Sequence, residues 1–170
     1  MILALDLSTK SSGWALFDKQ NEKYFLYKSG YITASSTDVI KRISKITIEL
    51  NKILQSNPTI DTVIMEEVLP SVGHNSNTNV WKALTWLQAA VVFLLHDNYQ
   101  KINRIFTMPN SWRAKVGIHT GPGIKREELK KQDIELVKNF YNLEVNNDEA
   151  DAILIGHAYV NKLSNEINWD

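Results

Sequence analysis

Three apolar-rich runs, Ile2 to Leu7, Gly13 to Phe17 and Tyr24 to Ile32, crowd into the first third of the chain. They are separated by short polar segments. Runs of that length, rich in Leu, Ile, Phe and Tyr, read as strands. Asp18-Lys19-Gln20-Asn21 reads as a polar turn, so the three form an antiparallel meander. No all-helical fold accommodates such an opening.

The hydrophobic period then changes. Ser36 or Thr37 is positioned to cap a helix whose apolar residues Ile40, Ile43, Ile46, Leu50 and Ile53 recur every three or four positions, and Asn57-Pro58 ends it. Ile60 to Met65 reads as a buried strand closing on Glu66-Glu67, and a Ser-, Asn- and Gly-rich loop runs from Pro70 to Asn79. Val80 to Leu95 is a long apolar helix carrying Trp81 and Trp86, and Ile102 to Met108 is a fifth strand. A short helical piece follows Pro109, then a loop with Gly117, Gly121, Pro122 and Gly123. Lys125 to Tyr141 is amphipathic, with Leu129, Ile134, Val137 and Phe140 as its inner face. A last helix runs from about Asp148 to about Leu163. A meander followed by alternating helices and strands predicts an α/β fold, a mixed five-stranded sheet with helices on both faces.

Composition narrows the function. A length of 170 residues suits a single domain over 1–170, and 44% apolar with 22% charged residues is a globular balance. Cysteine is absent, which removes disulfides, thiol nucleophiles and thiolate zinc sites. The first residues lack the pattern of a secretory signal, and no uninterrupted apolar run reaches membrane-spanning length, so a cytoplasmic protein without a membrane partner is expected. Net charge is zero but unevenly spread. Residues 101–140 hold nine basic against four acidic side chains, and residues 141–170 hold one against six. A basic block beside an acidic one fits a polyanion surface flanking a metal site, or two solvated helix faces.

Some acids break local expectation. Asp6 interrupts an otherwise apolar strand, where a charge must be exposed at the strand end, paired, or held by a metal. Glu66 and Glu67 end another buried strand, and adjacent strand residues point to opposite faces, so at most one can join Asp6. Asp148 and Asp151 are three apart at a helix start, which puts both on one face. Singly, each has an ordinary reading: an N-cap for Asp148, a first-turn acid for Asp151, a solvated strand end for Glu67. As a set they favour an oxygen-ligand site for Mg²⁺ or Mn²⁺, and two such ions about 4 Å apart can drive phosphodiester hydrolysis.

The motifs themselves carry a resemblance. Asp6-Leu7-Ser8-Thr9-Lys10-Ser11-Ser12-Gly13-Trp14-Ala15 resembles the first-strand motif of the RuvC family of Holliday-junction resolvases. Ile64-Met65-Glu66-Glu67-Val68-Leu69 is similar to its second motif, and Asp148-Glu149-Ala150-Asp151-Ala152 to its closing one. The resemblance implies an RNase H-like fold, a homodimer, two metal ions per site, and paired nicking of four-way DNA junctions to leave 5′-phosphate and 3′-hydroxyl ends. It makes Asp6, Glu66, Asp148 and Asp151 the metal-binding catalytic carboxylates and implies no small-molecule cofactor. It places a phosphate-approaching lysine at Lys125, with Lys131 as second candidate, and further DNA contacts at Arg113 and Lys115. Size and Cys-free, Asn-rich composition resemble the versions carried by bacteriophages.

One position departs from the family pattern. Where the family often has an aromatic after its catalytic glutamate, this chain has Leu69, and no aromatic follows in the loop to Asn79. Weaker sequence preference and wider activity on branched DNA are therefore expected. Trp81 and Trp86 lie about 140° apart on their helix, so one buried face does not accommodate both and an interface is favoured. His119 reads as a solvated loop residue and His157 as structural. Two other functions compete: a branched-DNA-binding module that does not cut, and a nucleotide-binding domain of the actin-like ATPase or sugar-kinase type, suggested by Asp6-x-Ser8-Thr9 with Gly13-Trp14-Ala15.

Overall fold

A computed structural model describes residues 1–70, 78–121 and 123–166. Residues 71–77 of the loop after Glu66-Glu67, His74 among them, and Pro122 of the glycine loop lie outside the described residues. In chain order the elements are β1 (Ile2–Asp6), β2 (Ser11–Gln20), β3 (Lys23–Thr33), α1 (Val39–Ser56), β4 (Thr62–Glu66), α2 (Thr78–Asn98), β5 (Asn103–Thr107), α3 (Pro109–Lys115), α4 (Arg126–Tyr141) and α5 (Asn147–Glu166).

The sheet order is β3-β2-β1-β4-β5. β1 pairs antiparallel with β2 and β2 with β3, while β4 lies parallel to β1 and β5 parallel to β4. The expected mixed sheet is thus observed. The hairpin turn sits later than expected, at Asn21-Glu22, where both residues adopt left-handed φ of 49° and 64°. Such a two-residue turn matches the twist of its strands and lets β2 continue through Gln20.

Strand parity divides the core. Leu3, Leu5, Leu16, Val63 and Met65 face α1 and α2, packing on Ile46, Leu50, Leu87 and Leu95. Ile2, Ala4, Ala15, Phe17 and Ile64 face the other way, onto Trp112 of α3, Val137 of α4 and the Ala150–Ile155 stretch of α5. Helices therefore cover both faces. The close approach of α5 depends on glycine: a Cβ at Gly156 would lie 2.1 Å from the Phe17 ring.

Two local expectations are corrected. Asp38, not Ser36 or Thr37, caps α1, its Oδ1 accepting the Ile40 and Lys41 N–H groups at 2.8 and 3.4 Å. Phe140 is 43% exposed and stacks on His157 at 4.4 Å; Leu129, Ile134 and Val137 pack inward as expected, and Asp133 is buried with them. Although no uninterrupted apolar run reaches membrane length, α2 is, among the described residues, a helix long and apolar enough on average to cross one. Here its Leu87, Val91 and Leu95 are buried in the core.

Candidate active site

The same parity places the acids. Asp6 continues the Ile2, Ala4 series and Glu66 continues Ile64, so both carboxylates emerge on the α5 side of the sheet. The parallel register, Ala4 with Ile64 and Leu5 with Met65, brings the two strand ends side by side. Glu67 has the opposite parity.

The N-terminus of α5 is brought to that point by two residues. Asn146 caps the helix, its Oδ1 accepting the Glu149 N–H at 2.9 Å, so Asp148 is left out of the capping role open to it in the sequence. Gly13 pairs directly with Asp6 across β1 and β2, and a Cβ there would stand 1.7 Å from the Asp148 carbonyl oxygen. Only a residue without a side chain lets the helix start against this strand. Ser29 of β3 fixes the same turn by donating to Glu149 Oε1 at 2.7 Å.

Asp6, Glu66, Asp148 and Asp151 line one cleft of about 710 Å³. A fifth acid, Asp133 of α4, lines it too and is 1% exposed. Sequence reading missed Asp133; the available signal was its place four residues after Leu129 and four before Val137. Burial, followed by the charges of Glu66 and Asp148, pushes the Asp6 carboxyl well above the usual carboxylate range against the opposing pull of Arg113 and Arg126. Asp151 is raised by burial, then by Asp6 and by Asp133. Oδ1 of Asp151 is buried without a hydrogen-bond partner.

These are the properties of a site built for cations: oxygen donors only, mutual repulsion, and an orphaned buried carboxylate oxygen. Among the described residues no three acids or histidines already converge as a finished coordination sphere. Glu66 is engaged elsewhere, with the Trp112 indole N–H donating to its Oε2 at 2.6 Å and Arg113 3.6 Å from the same oxygen. Arg113 also stacks over the Trp112 ring at 4.3 Å.

The basic residues fall differently from expectation. Arg113, expected as a DNA contact, lines the cleft and lies against Glu66. Lys10, Arg42, Lys82, Arg126 and Lys130 line the cleft as well. Lys125 occupies the N-cap position of α4 and is exposed, Lys131 lines a separate depression with Ile124, Glu128 and Gln132, and Lys115 lines another beside Ile105 and Met108. The structure does not bring Lys115, Lys125 or Lys131 to the carboxylates. His119 is exposed, its N–H donating to Gln132 Oε1 at 3.0 Å. His157 is held by Tyr141 at 2.6 Å and Asn161 at 2.8 Å, and burial lowers its pKa.

A 3-2-1-4-5 mixed sheet with acids at the ends of its central strand and of the neighbouring β4, in one cleft with acids of the final helix, is an RNase H-like fold with a carboxylate-lined cleft. No protein-family profile matches the chain. Curated proteins do, among them relatives named crossover junction endodeoxyribonuclease RuvC. The one from Rickettsia bellii (strain OSU 85-389) is 32% identical and the one from Rickettsia africae (strain ESF-5) 31%, each over 160 residues, 93% of this chain and 95% of the relative. Among solved structures, Thermus thermophilus RuvC in complex with a Holliday junction substrate superposes with a TM-score of 0.68 at 14% identity, covering 98% of this chain and 95% of that one. The chain belongs to the RuvC family of crossover junction endodeoxyribonucleases.

Proposed function

We propose that this protein is a divalent-metal-dependent endodeoxyribonuclease that resolves four-way DNA junctions by paired nicking, acting in the cytoplasm. One observation carries the reading: three motifs far apart in sequence deliver Asp6, Glu66, Asp148 and Asp151 to a single cleft whose other charged residues, Asp133 apart, are basic. Cleavage of a labelled four-way junction and of linear duplex, each with Mg²⁺, Mn²⁺ or EDTA, tests it. Metal-dependent cutting confined to the junction is expected; junction binding with no cutting under either metal would leave the non-cleaving module as the better account.

Asp6, Glu66, Asp148 and Asp151 would hold two Mg²⁺ or Mn²⁺ ions, which supply an activated water and charge stabilisation at the departing oxygen. The chain's own residues do the rest. Trp112 and Arg113 fix the orientation of Glu66, so its free oxygen is presented at a set angle. Gly13 and Asn146 hold Asp148 against Asp6. Arg126 and Lys130, one helical turn apart on α4, face the scissile phosphate and offset its growing charge. Lys10, Arg42 and Lys82 contact flanking phosphates, which makes binding strongly salt-dependent. Hydrolysis leaves 5′-phosphate and 3′-hydroxyl ends.

The lysine assignment is directly testable. Lys130→Ala should slow single-turnover junction cleavage by about 10²-fold, whereas Lys125→Ala should change it less than about twofold, as expected for an exposed surface change. The reverse order would return the role to Lys125.

A homodimer completes the reading, since two sites must meet two strands of a near-symmetric junction. Exposed apolar residues of α2 support it: Phe93 is 64% exposed, and Trp86, which also lines the cleft, 50%. Phe93→Glu should convert the dimer into monomers by sedimentation velocity while leaving the thermal unfolding temperature within a few degrees. A variant that remains dimeric would move the interface elsewhere.

A further inference from the structure

Asp133 is anomalous among the charged residues of α4. Leu129, Asp133 and Val137 form one i, i+4, i+8 stripe, and Val137 is fully buried. An apolar side chain in the middle of that stripe would pack at no electrostatic cost. Instead the position holds a carboxyl that is 1% exposed, and a buried charge requires a partner.

Arg113 and Lys130 act on Asp133 from a distance, and neither forms an ion pair with it. The Asp133 carboxyl meets the Asp151 carboxyl within hydrogen-bonding reach, acid against acid. Oδ1 of each is buried and finds no hydrogen-bond donor. Arg113 is committed to Glu66, and no ion pair found among the described residues includes Asp133 or Asp151. Both acids nevertheless line the cleft, Asp133 from α4 and Asp151 from α5. Two facing carboxyls without a donor are reconciled either by a shared proton or by a shared cation. Their common exposure to a cleft already lined by three further acids favours the cation.

Resting on the metal-dependent reading of the site, we propose that Asp133 is a fifth carboxylate of the metal centre, holding a divalent cation jointly with Asp151. Asp151 is then not the last donor of the site, and α4 contributes to the metal centre as well as to the phosphate-facing wall.

Titration of the full chain with Mn²⁺ by calorimetry, paired with thermal melts with and without Mn²⁺, tests this on wild type and Asp133→Asn. Asp133→Asn should fold and melt at or above wild type without metal. It should bind Mn²⁺ about tenfold or more weakly and gain fewer degrees on adding it. Wild-type affinity and a wild-type gain would overturn the proposal and leave proton sharing as the explanation. An Asp133→Asn protein that fails to fold would overturn it too, because a carboxylate waiting for a cation is dispensable in the metal-free chain. If wild type itself neither binds Mn²⁺ nor gains stability from it, the metal-dependent reading falls and this proposal with it.

Discussion

Asp6→Asn should abolish junction cleavage, by about 10³-fold or more, while junction affinity stays within about threefold of wild type. The size of the effect follows from position. Asp6 stands at the end of the central strand, between Glu66 on β4 and Asp148 on α5, and burial together with those two charges disfavours its ionised form. A group in that environment is worth keeping charged only if a cation repays it. Asparagine preserves shape and one oxygen but removes the charge. Because the ionised acid is costly when the site holds no metal, the metal-free variant should be at least as stable as wild type, and added Mg²⁺ or Mn²⁺ should stabilise it less. Single-turnover cleavage, a binding titration and a pair of melts check all three. Wild-type cleavage by Asp6→Asn would remove Asp6 from the site.

Gly13→Ala should be nearly as damaging by a different route. Its new Cβ would be 1.7 Å from the Asp148 carbonyl oxygen and 3.1 Å from the Glu149 nitrogen, both backbone atoms that cannot rotate away. The start of α5 must then shift from β2, carrying Asp148 off the cleft and straining the Ser29 to Glu149 hydrogen bond. A loss of about 3 kcal/mol in unfolding free energy is expected from this overpacking, together with at least about 10²-fold in cleavage. The distinguishing feature is that Mn²⁺ affinity falls with cleavage although no carboxylate has been removed. A variant with reduced stability but intact metal binding would show that α5 shifts as a unit without disturbing the acids.

Much of this was legible in the sequence, for identifiable reasons. Strand parity decides which side of a sheet a residue occupies, so at most one of Glu66 and Glu67 could join Asp6, and the resemblance to the family's second motif named Glu66. The aspartate pair was legible because three residues bring a helix back to nearly the same face. What failed depends on helix phase and start point. α4 is dense in charge, and of the inner face read as Leu129, Ile134, Val137 and Phe140 it is Phe140 that turns outward. The same side of α4 also buries Asp133, and the cleft takes Lys130 and Arg126 rather than Lys131 or Lys125, the positional matches to the family's lysine. Arg113 was expected as a DNA contact, but its pairing with Glu66 is invisible in a sequence that separates the two by all of α2 and β5. The N-cap of α1 shifted by one residue because Ser36, Thr37 and Asp38 are all competent caps, and only the backbone decides between them.

The central claim is that one cleft of clustered acids, present twice in a symmetric assembly, cuts two opposed strands of a junction. Mapping both cut sites on a mobile-core four-way junction, with each strand end-labelled in turn and the products offered to DNA ligase, tests it most directly. The account predicts metal-dependent nicks at symmetric positions on two opposed strands, with products that ligase reseals because they bear 5′-phosphate and 3′-hydroxyl ends. Nicks scattered over all four strands, equal cutting of linear duplex, or ends that cannot be ligated would contradict it.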